Sequence, residues 1–251
     1  MSASVFLVEP ELLRDSGIGS SFALPKPVAH HIRVMRIESD ELCELVDGHG
    51  KRVSGAVNPD GFFVVKGEQL EPLPALRIDV AQALIKGDRL ENSLDMLTQV
   101  GVTGLIPWIA DHSVVKWNSE KSAKQLVKWK NVTTAATEQS RRSWTPVIHE
   151  PISSNALAKK LSDYDHVVVL EESGKSQAPE INSGSVLLIV GPEGGVSAHE
   201  RELFASAVSL RLGTNVFRSE TAGVAGVSYL FSKSGEWDGE SGGTVQGLSN
   251  A

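Results

Sequence analysis

Apolar runs of strand length alternate with amphipathic segments over residues 76–237, and this alternation restricts the possible folds more than any other feature of the chain. RIDVAQALI at 77–85 predicts a buried strand, and DRLENSLDMLTQVG at 88–101 predicts a helix because its leucines recur every three to four residues. Further strands are predicted at 165–172 and 185–192, where valine, leucine and isoleucine dominate. Strands and helices in this order predict an α/β fold built on a parallel sheet.

The start of the chain has a different pattern, in which short strands are separated by turn residues. The segment 53–68 places Asn-Pro-Asp-Gly at 58–61 between two strand-like runs, which is typical of a β-hairpin. The proline-rich stretch at 71–77 predicts a linker, and the glycine- and serine-rich end of the chain predicts disorder. The expected organisation is a small, mostly β domain at 1–72, an α/β domain at 73–237 and a flexible tail at 238–251.

The composition is that of a globular protein with ordinary apolar and charged content. The chain is 41% hydrophobic and 22% charged, and no run approaches the ~18 apolar residues that a membrane span needs. The single cysteine, Cys43, excludes an internal disulfide and a cysteine-based zinc site. The seven histidines show no H-E-x-x-H pattern, so no metal is expected. Together these features predict a cytoplasmic protein that binds neither a membrane nor a metal.

Positive charge is concentrated in one segment of an acidic chain. The net charge of −7 argues against a nucleic-acid partner. Between residues 112 and 142, however, seven lysines and arginines are opposed only by Glu120 and Glu138. A basic helix here is typical of a surface that contacts phosphates. A solvated helix face has the same composition, so the charge pattern alone leaves both interpretations open.

The segment LLIVGPEGGVSAHE at 187–200 is the strongest local motif. An apolar strand ends at Val190, glycines follow, and Ser197 and Glu200 have the spacing of a capping box that opens a helix. Ligands of open α/β sheets bind at such strand ends, where glycines let the backbone approach a ligand closely. The motif lacks the glycine spacing of a nucleoside triphosphate or dinucleotide site. An ordinary strand–helix turn remains the alternative.

A second glycine-containing bend follows at 210–223. A short strand leads to Gly213, and Ser219 or Thr221 lies near the start of a last helix. Two such bends separated by one helix are expected to lie side by side at one edge of the sheet, where they would form a pocket made mostly of backbone. Arg218 and Glu220 are the charged residues beside it, and a surface ion pair of Arg218 with Glu220 or another carboxylate is the alternative to a functional role.

Several motifs together resemble one known family. They are HHIRVMRI at 30–37, KGDRLE at 86–91, TQVGV at 98–102, EQSRRSW at 138–144, GPEGG at 191–195 and LGTNVFRSETA at 212–222. This order is similar to that of the ribosomal RNA small-subunit methyltransferase E family, which belongs to the SPOUT class of methyltransferases. The resemblance implies N3-methylation of a uridine in 16S ribosomal RNA with S-adenosylmethionine as donor. It also implies an N-terminal PUA-like β-barrel that binds RNA, a C-terminal domain with a trefoil knot, and a homodimer that acts on 16S rRNA or the small ribosomal subunit.

The resemblance also implies roles for individual residues. The implied cofactor site comprises Leu170, Glu171, Gly191, Pro192, Glu193, Gly194, Leu212, Gly213, Val216 and Thr221. The implied RNA-binding residues are Arg33, Arg36, Lys86, Arg89, Gln139, Arg141 and Arg142, and the implied catalytic residues are Arg218, Glu220 and Arg142. The chain departs from the family pattern at Met96 and Gln99, where Lys and Glu are common, and at Arg141, where Gly is commoner.

Methylation of uracil N3 requires loss of the N3 proton, and the resulting charge spreads onto the flanking carbonyl oxygens. Arg218 is the first candidate to stabilise that charge and Arg142 the second. Glu193 or Glu220 is a candidate general base, with a role in bracing the loop as the alternative. Two other functions stay open: a SPOUT 2′-O-ribose methyltransferase acting on tRNA or another rRNA, and a non-catalytic RNA-binding factor in ribosome assembly.

Overall fold

The structure is a computed structural model that describes residues 3–175 and 179–237. The predicted flexible tail at 238–251 lies outside the described residues. Within them, the chain divides into two compact units. The first contains the residues up to Leu73 together with Thr137–Thr145, and the second contains Pro74–Ala136 and the residues from Pro146 onward. The α/β domain predicted at 73–237 includes residues 137–145, whereas in the structure these residues belong to the first unit.

The first unit is built on a five-stranded sheet. Its elements are β1 (Ser4–Leu7), α1 (Pro10–Leu13), β2 (Ser21–Ala23), α2 (Lys26–Val34), β3 (Leu42–Val46), β4 (Lys51–Val57) and β5 (Phe62–Leu70). The strand order is β1-β3-β4-β5-β2, in which β1 and β3 are parallel and the other pairs are antiparallel. Phe6, Leu45, Val53 and Phe63 are fully buried in its core.

The hairpin predicted at 53–68 is confirmed as β4 and β5, whose strands together span 51–70. The side chain of Asn58 accepts a hydrogen bond from the backbone N–H of Phe62 at 2.9 Å. Gly61 has a φ of +87°, a conformation that glycine adopts at little cost. The turn residues therefore have the roles that the sequence predicted for them.

The second unit is built on a parallel sheet with helices on both faces. Its elements are β6 (Leu76–Ala83), α3 (Arg89–Val100), β7 (Gly104–Ile109), α4 (Ser119–Gln139, whose residues from Thr137 onward belong to the first unit), β8 (Val147–Ile148), β9 (Ile152–Ser153), α5 (Ser154–Lys160), β10 (His166–Lys175), β11 (Gly184–Val190), α6 (Ala198–Leu203), β12 (Val208–Leu210) and α7 (Ser219–Ser234). The strand order is β12-β10-β11-β6-β7-β8, and β9 also pairs with β7. The α/β fold with a parallel sheet that the sequence predicted is thus present.

Two apolar layers cover the two faces of this sheet. Helices α3 and α7 contribute Leu94, Leu97 and Leu230 to one layer, and Trp129 of α4 is fully buried in the same layer. Leu157 of α5 and residues around α6 form the other layer. Helix α3 ends at Gly101, as predicted from the sequence, with a φ of +108°. Apolar layers therefore cover both faces, and the carboxyl ends of the strands form the edge at which ligands of open α/β sheets generally bind.

Cys43 gives a test of the packing of the first unit. Its side chain is fully buried, and burial, with smaller contributions from Glu41 and Glu44, raises the pKa of its thiol to about 11. Only the thiolate reacts with iodoacetamide, so alkylation of the folded protein at pH 8 should be on the order of a hundred times slower than in urea. Equal rates in the two conditions, measured by mass spectrometry, would contradict this packing.

Candidate functional site

The glycine-rich segment at 191–197 connects β11 to α6 at the carboxyl edge of the second sheet. The N–H of Gly195 donates to the carbonyl of Pro192 at 2.9 Å, and Gly195 has a φ of +71°. A Cβ at Gly194 would lie 3.0 Å from the Cβ of His112. Glycine is therefore required at one position by backbone conformation and favoured at the other by a close neighbour.

Glu200 anchors the end of this segment. The predicted capping box is confirmed: Ser197 Oγ accepts from the Glu200 N–H at 3.1 Å, and Glu200 Oε2 accepts from the Ser197 N–H at 2.8 Å. The fully buried carboxylate also accepts from the Asp111 N–H at 2.7 Å and the Ser154 hydroxyl at 2.6 Å. These bonds tie the start of α6 to the ends of β7 and β9 and fix where the glycine segment ends.

His112 holds the middle of the same segment. Its Nδ1 lies 3.0 Å from the carbonyl oxygen of Gly194 and 3.1 Å from that of Gly195. Carbonyl oxygens only accept hydrogen bonds, so Nδ1 carries the proton in this arrangement. His112 was not among the residues predicted from the sequence to have a role, because no spacing pattern in the sequence distinguishes it.

The second glycine segment is the bend at 210–223, which begins at the end of β12 and lies beside β10. Strand β10 does not end at Glu172, the last residue of the strand predicted at 165–172, but continues to Lys175 with an irregularity in its pairing to Leu210. The Arg211 N–H donates to the Lys175 carbonyl at 2.7 Å. A Cβ at Gly174 would lie 2.7 Å from the Leu210 carbonyl carbon, so only glycine permits this approach.

A buried chain of hydrogen bonds joins the two glycine segments, which the sequence predicted to lie side by side. The Ser219 hydroxyl, at the start of α7, donates to the Gly191 carbonyl at 2.6 Å. Gln82 Nε2 donates to Ser219 Oγ at 2.9 Å. Sequence reasoning missed Gln82, although a lone amide within an otherwise apolar strand is a signal that could have identified it.

Acidic and basic side chains meet beside this junction. Arg89 Nη1 lies 3.4 Å from Glu193 Oε1 and 3.8 Å from Glu220 Oε1. Glu220 Oε2 is buried and has no hydrogen-bond partner among residues 3–175 and 179–237. Arg218 is exposed, and within those ranges it forms no ion pair. The alternative pair between Arg218 and Glu220 is thus absent from the described structure, and Arg89 takes that place.

The other residues of the implied cofactor site differ in their surroundings. Leu170 packs on α7, where a Cβ at Gly226 would lie 3.0 Å from its Cδ1. The Glu171 carboxylate accepts from Arg201 Nε at 2.7 Å and from Ser209 Oγ at 2.9 Å. Leu212 is partly buried, and Pro192 is buried. Gly213, Val216 and Thr221 are exposed. The Glu171 side chain is therefore already engaged within the protein.

The residues implied to bind RNA are divided between the two units. Arg33, Arg36, Gln139 and Arg141 are exposed on the first unit. Arg142 belongs to the same unit, and burial lowers the pKa of its guanidinium to about 10, so it is charged at neutral pH. Lys86 is exposed on the second unit, and Arg89 is engaged by its two glutamates.

Ion pairs reduce the free positive charge of the basic helix α4. Lys124 pairs with Glu120 at 2.7 Å, and Lys128 pairs with Glu91 of α3 at 2.5 Å. Glu138 has a different role from that of a surface charge, since it accepts a hydrogen bond from the Leu7 N–H at 2.9 Å. The helix is therefore less strongly basic than the sequence count suggested.

The described residues contain neither a helix that could span a membrane nor a group of side chains that could hold a metal ion. In the ranges 3–175 and 179–237, no helix is long and apolar enough to cross a bilayer. Over the same ranges, no group of three or more His, Cys, Asp or Glu side chains is arranged to hold a metal ion.

The chain matches a known family and several known proteins. The model of the RNA methyltransferase domain family matches residues 71–231. The ribosomal RNA small subunit methyltransferase E of Mycobacterium bovis is 30% identical, over 83% of this chain and 85% of the relative. The protein of the same name from Bacillus subtilis is 31% identical, over 84% of this chain and 89% of the relative.

Solved structures share the fold. A putative methyltransferase from Legionella pneumophila, solved in complex with S-adenosylmethionine, aligns with a TM-score of 0.82 and 26% identity, over 92% of this chain and 98% of that one. A ribosomal RNA small subunit methyltransferase E from Neisseria gonorrhoeae, bound to S-adenosylmethionine, aligns with a TM-score of 0.81 and 24% identity over the same shares. At this identity the second alignment is evidence of the fold alone.

Replacing Ser197 tests the anchor of the glycine segment. Ser197→Ala removes the cap of α6 and a bond to Asp111, so the free energy of unfolding in urea should fall by about 1–2 kcal/mol. Ser153→Ala is the matched control, because Ser153 caps α5 with a longer bond of 3.4 Å at an exposed position. An equal loss in both variants would argue against a special anchoring role for Ser197.

Proposed function

Because the chain belongs to the ribosomal RNA small subunit methyltransferase E family, we propose that it transfers a methyl group from S-adenosylmethionine to N3 of a uridine in 16S ribosomal RNA. The observation that carries this proposal is the 2.6 Å bond from Ser219 to the Gly191 carbonyl, which joins the two glycine segments at the carboxyl edge of the sheet. That edge is where ligands of open α/β sheets bind.

The cofactor would be held mainly by backbone groups of the two segments. A Cβ at Gly195 or Gly213 would meet no atom within 4 Å, so open space lies beside the backbone at both bends. The proposed contacts are Gly191, Pro192, Glu193 and Gly194 from the first bend, Leu212, Gly213 and Val216 from the second, and Leu170, Glu171 and Thr221 at their borders. When bound, the sulfonium supplies an electrophilic methyl group. Glu171 contributes through its backbone or by sharing the carboxylate that Arg201 now engages.

Charged residues beside the cleft would manage the proton and charge of the uracil. We assign Glu220 as the group that accepts the N3 proton, since its Oε2 is buried and has no partner among the described residues. Arg218 is exposed and forms no ion pair with the other described residues. Its guanidinium would stabilise the charge on the uracil oxygens. Arg142 of the first unit is a second candidate for that role, and Glu193 is a second candidate for the base.

The first unit would bind the RNA as a PUA-like β-barrel. Its five-stranded sheet and the exposed Arg33, Arg36, Gln139 and Arg141 support this assignment. Within the second unit, Lys86 and Arg89 are the proposed RNA contacts. Phosphate contacts by such arginines give affinity without sequence selection. The substrate would be 16S rRNA or the small ribosomal subunit, met in the cytoplasm by a homodimer.

The strand order supports a trefoil knot in the second unit. Strand β11 lies between β10 and β6, whereas β12 pairs on the outer side of β10. The chain then returns as α7, which packs on β6, β10 and β11. We propose that this return passes through the loop formed by the preceding segments.

Replacing Arg218 separates catalysis from cofactor binding. Arg218→Ala should reduce the rate of N3-methyluridine formation at least about a hundredfold, because a charge-stabilising donor is lost, while affinity for S-adenosylmethionine stays within a few-fold. Nucleoside mass spectrometry of digested rRNA measures the product, and titration calorimetry measures the affinity. The matched control is Arg211→Ala, an exposed arginine of the same segment outside the proposed machinery. A 2′-O-methyl product, or no product from the unmodified protein, would overturn the proposed reaction.

The dependence of RNA affinity on salt tests the proposed RNA surface. The logarithm of the association constant should fall linearly with the logarithm of salt concentration. Arg33→Ala or Arg36→Ala should each make this negative slope shallower by about 0.7–0.9. Arg14→Ala is the control, because exposed Arg14 already pairs with Glu11 at 3.3 Å. An affinity that is insensitive to ionic strength would contradict the assignment of this surface.

A further inference from the structure

We infer that Gln82 is a positioning residue that sets the geometry of the cofactor cleft through Ser219, although neither side chain needs to touch the cofactor. The inference rests on the proposed function, because it concerns the same cleft. It concerns a residue of the central strand β6, outside both glycine segments.

Gln82 occupies the point where four elements meet. It lies near the carboxyl end of β6, in register with Val190 of β11 on one side and Pro107 of β7 on the other. Its side chain is fully buried. A buried amide costs free energy unless its donors and acceptor are satisfied, so its partners determine its orientation.

The hydrogen bonds around Gln82 have a fixed direction. Nε2 donates to Ser219 Oγ at 2.9 Å and to the Ala83 carbonyl at 3.3 Å, which uses both amide hydrogens. The Ser219 hydroxyl has one hydrogen and directs it to the Gly191 carbonyl at 2.6 Å. Because Gln82 presents its Nε2 donor to Ser219, the hydroxyl oxygen accepts that bond and the hydroxyl hydrogen remains available to the Gly191 carbonyl.

Close packing holds the amide in this orientation. A Cβ at Gly223 of α7 would lie 3.3 Å from Gln82 Oε1 and 3.4 Å from Val190 Cγ2. On the other side, Ser93 Oγ of α3 lies 3.5 Å from Gln82 Oε1. The amide is thus enclosed by α3, β11 and α7, and the position of the Gly191 carbonyl depends on it.

A carboxyl group at this position provides a sharp test. In Gln82→Glu the side chain has nearly the same shape, but its ionised form cannot donate to Ser219. The Ser219 hydroxyl would then turn toward the carboxylate and release the Gly191 carbonyl. The protonated form can donate and restores the original direction. Burial raises the pKa of a carboxyl group, so the change falls within an accessible pH range.

The measurement is the affinity for S-adenosylmethionine by titration calorimetry between pH 6 and pH 8.5. Gln82→Glu should bind about tenfold more weakly than the unmodified protein at pH 8.5 and approach it at pH 6. The charged and titratable groups around the cleft are Arg89 on α3, His112 and Glu193 at the first glycine segment, and Arg218 and Glu220 at the start of α7. All of them are present in both proteins, so the ratio of the two affinities isolates the effect of the substitution.

Two further variants separate positioning from loss of stability. Ser219→Ala should also weaken binding about tenfold but without the pH dependence, and combining it with Gln82→Glu should remove that dependence. The control is Thr103→Val, which removes a 2.7 Å bond to Asp79 near the other end of β6 and should leave the affinity unchanged.

The outcomes distinguish this inference from the function on which it rests. If the unmodified protein does not bind S-adenosylmethionine, the proposed function fails. If it binds, but Gln82→Glu binds equally well at pH 8.5 or shows no pH dependence beyond that of the unmodified protein, the positioning role of Gln82 is overturned.

Discussion

The second unit depends on one constraint, which is that polar groups such as Glu200 and Gln82, buried at the carboxyl edge of its sheet, cost free energy unless they are hydrogen-bonded. Glu200 meets this constraint by accepting bonds from Asp111, Ser154 and Ser197, and Gln82 meets it by donating to Ser219. Apolar packing is tolerant of direction, whereas these bonds each specify one geometry. The sheet and its apolar layers provide the platform, and the buried polar groups determine where the two glycine segments lie on it.

Local patterns in the sequence predicted the elements well, because each depends on neighbouring residues. The hairpin around Asn58, the capping box of Ser197 and the helix end at Gly101 all follow from short-range chemistry. The adjacency of the two glycine segments followed from the order of strands and helices. Residues that act across long separations were missed or placed differently, since no periodicity marks the bond between Gln82 and Ser219.

The charged residues illustrate the same difference. From the sequence, Arg89 was a candidate phosphate contact and Glu171 a cofactor contact, because resemblance transfers positions but not side-chain partners. The structure pairs Arg89 with Glu193 and Glu220, and it pairs Glu171 with Arg201. A count of charges along the chain likewise overlooks the bond between Lys128 and a glutamate of another helix. Three-dimensional pairing therefore decides which charges remain available to a ligand.

The bond from Ser219 to Gly191 also has a consequence for synthesis of the protein. One side of the cleft is formed by residues that follow β12, and Ser219 is separated from Gln82 by 137 positions. A ribosome must therefore translate well beyond residue 219, and those residues must leave its exit tunnel, before the cleft exists.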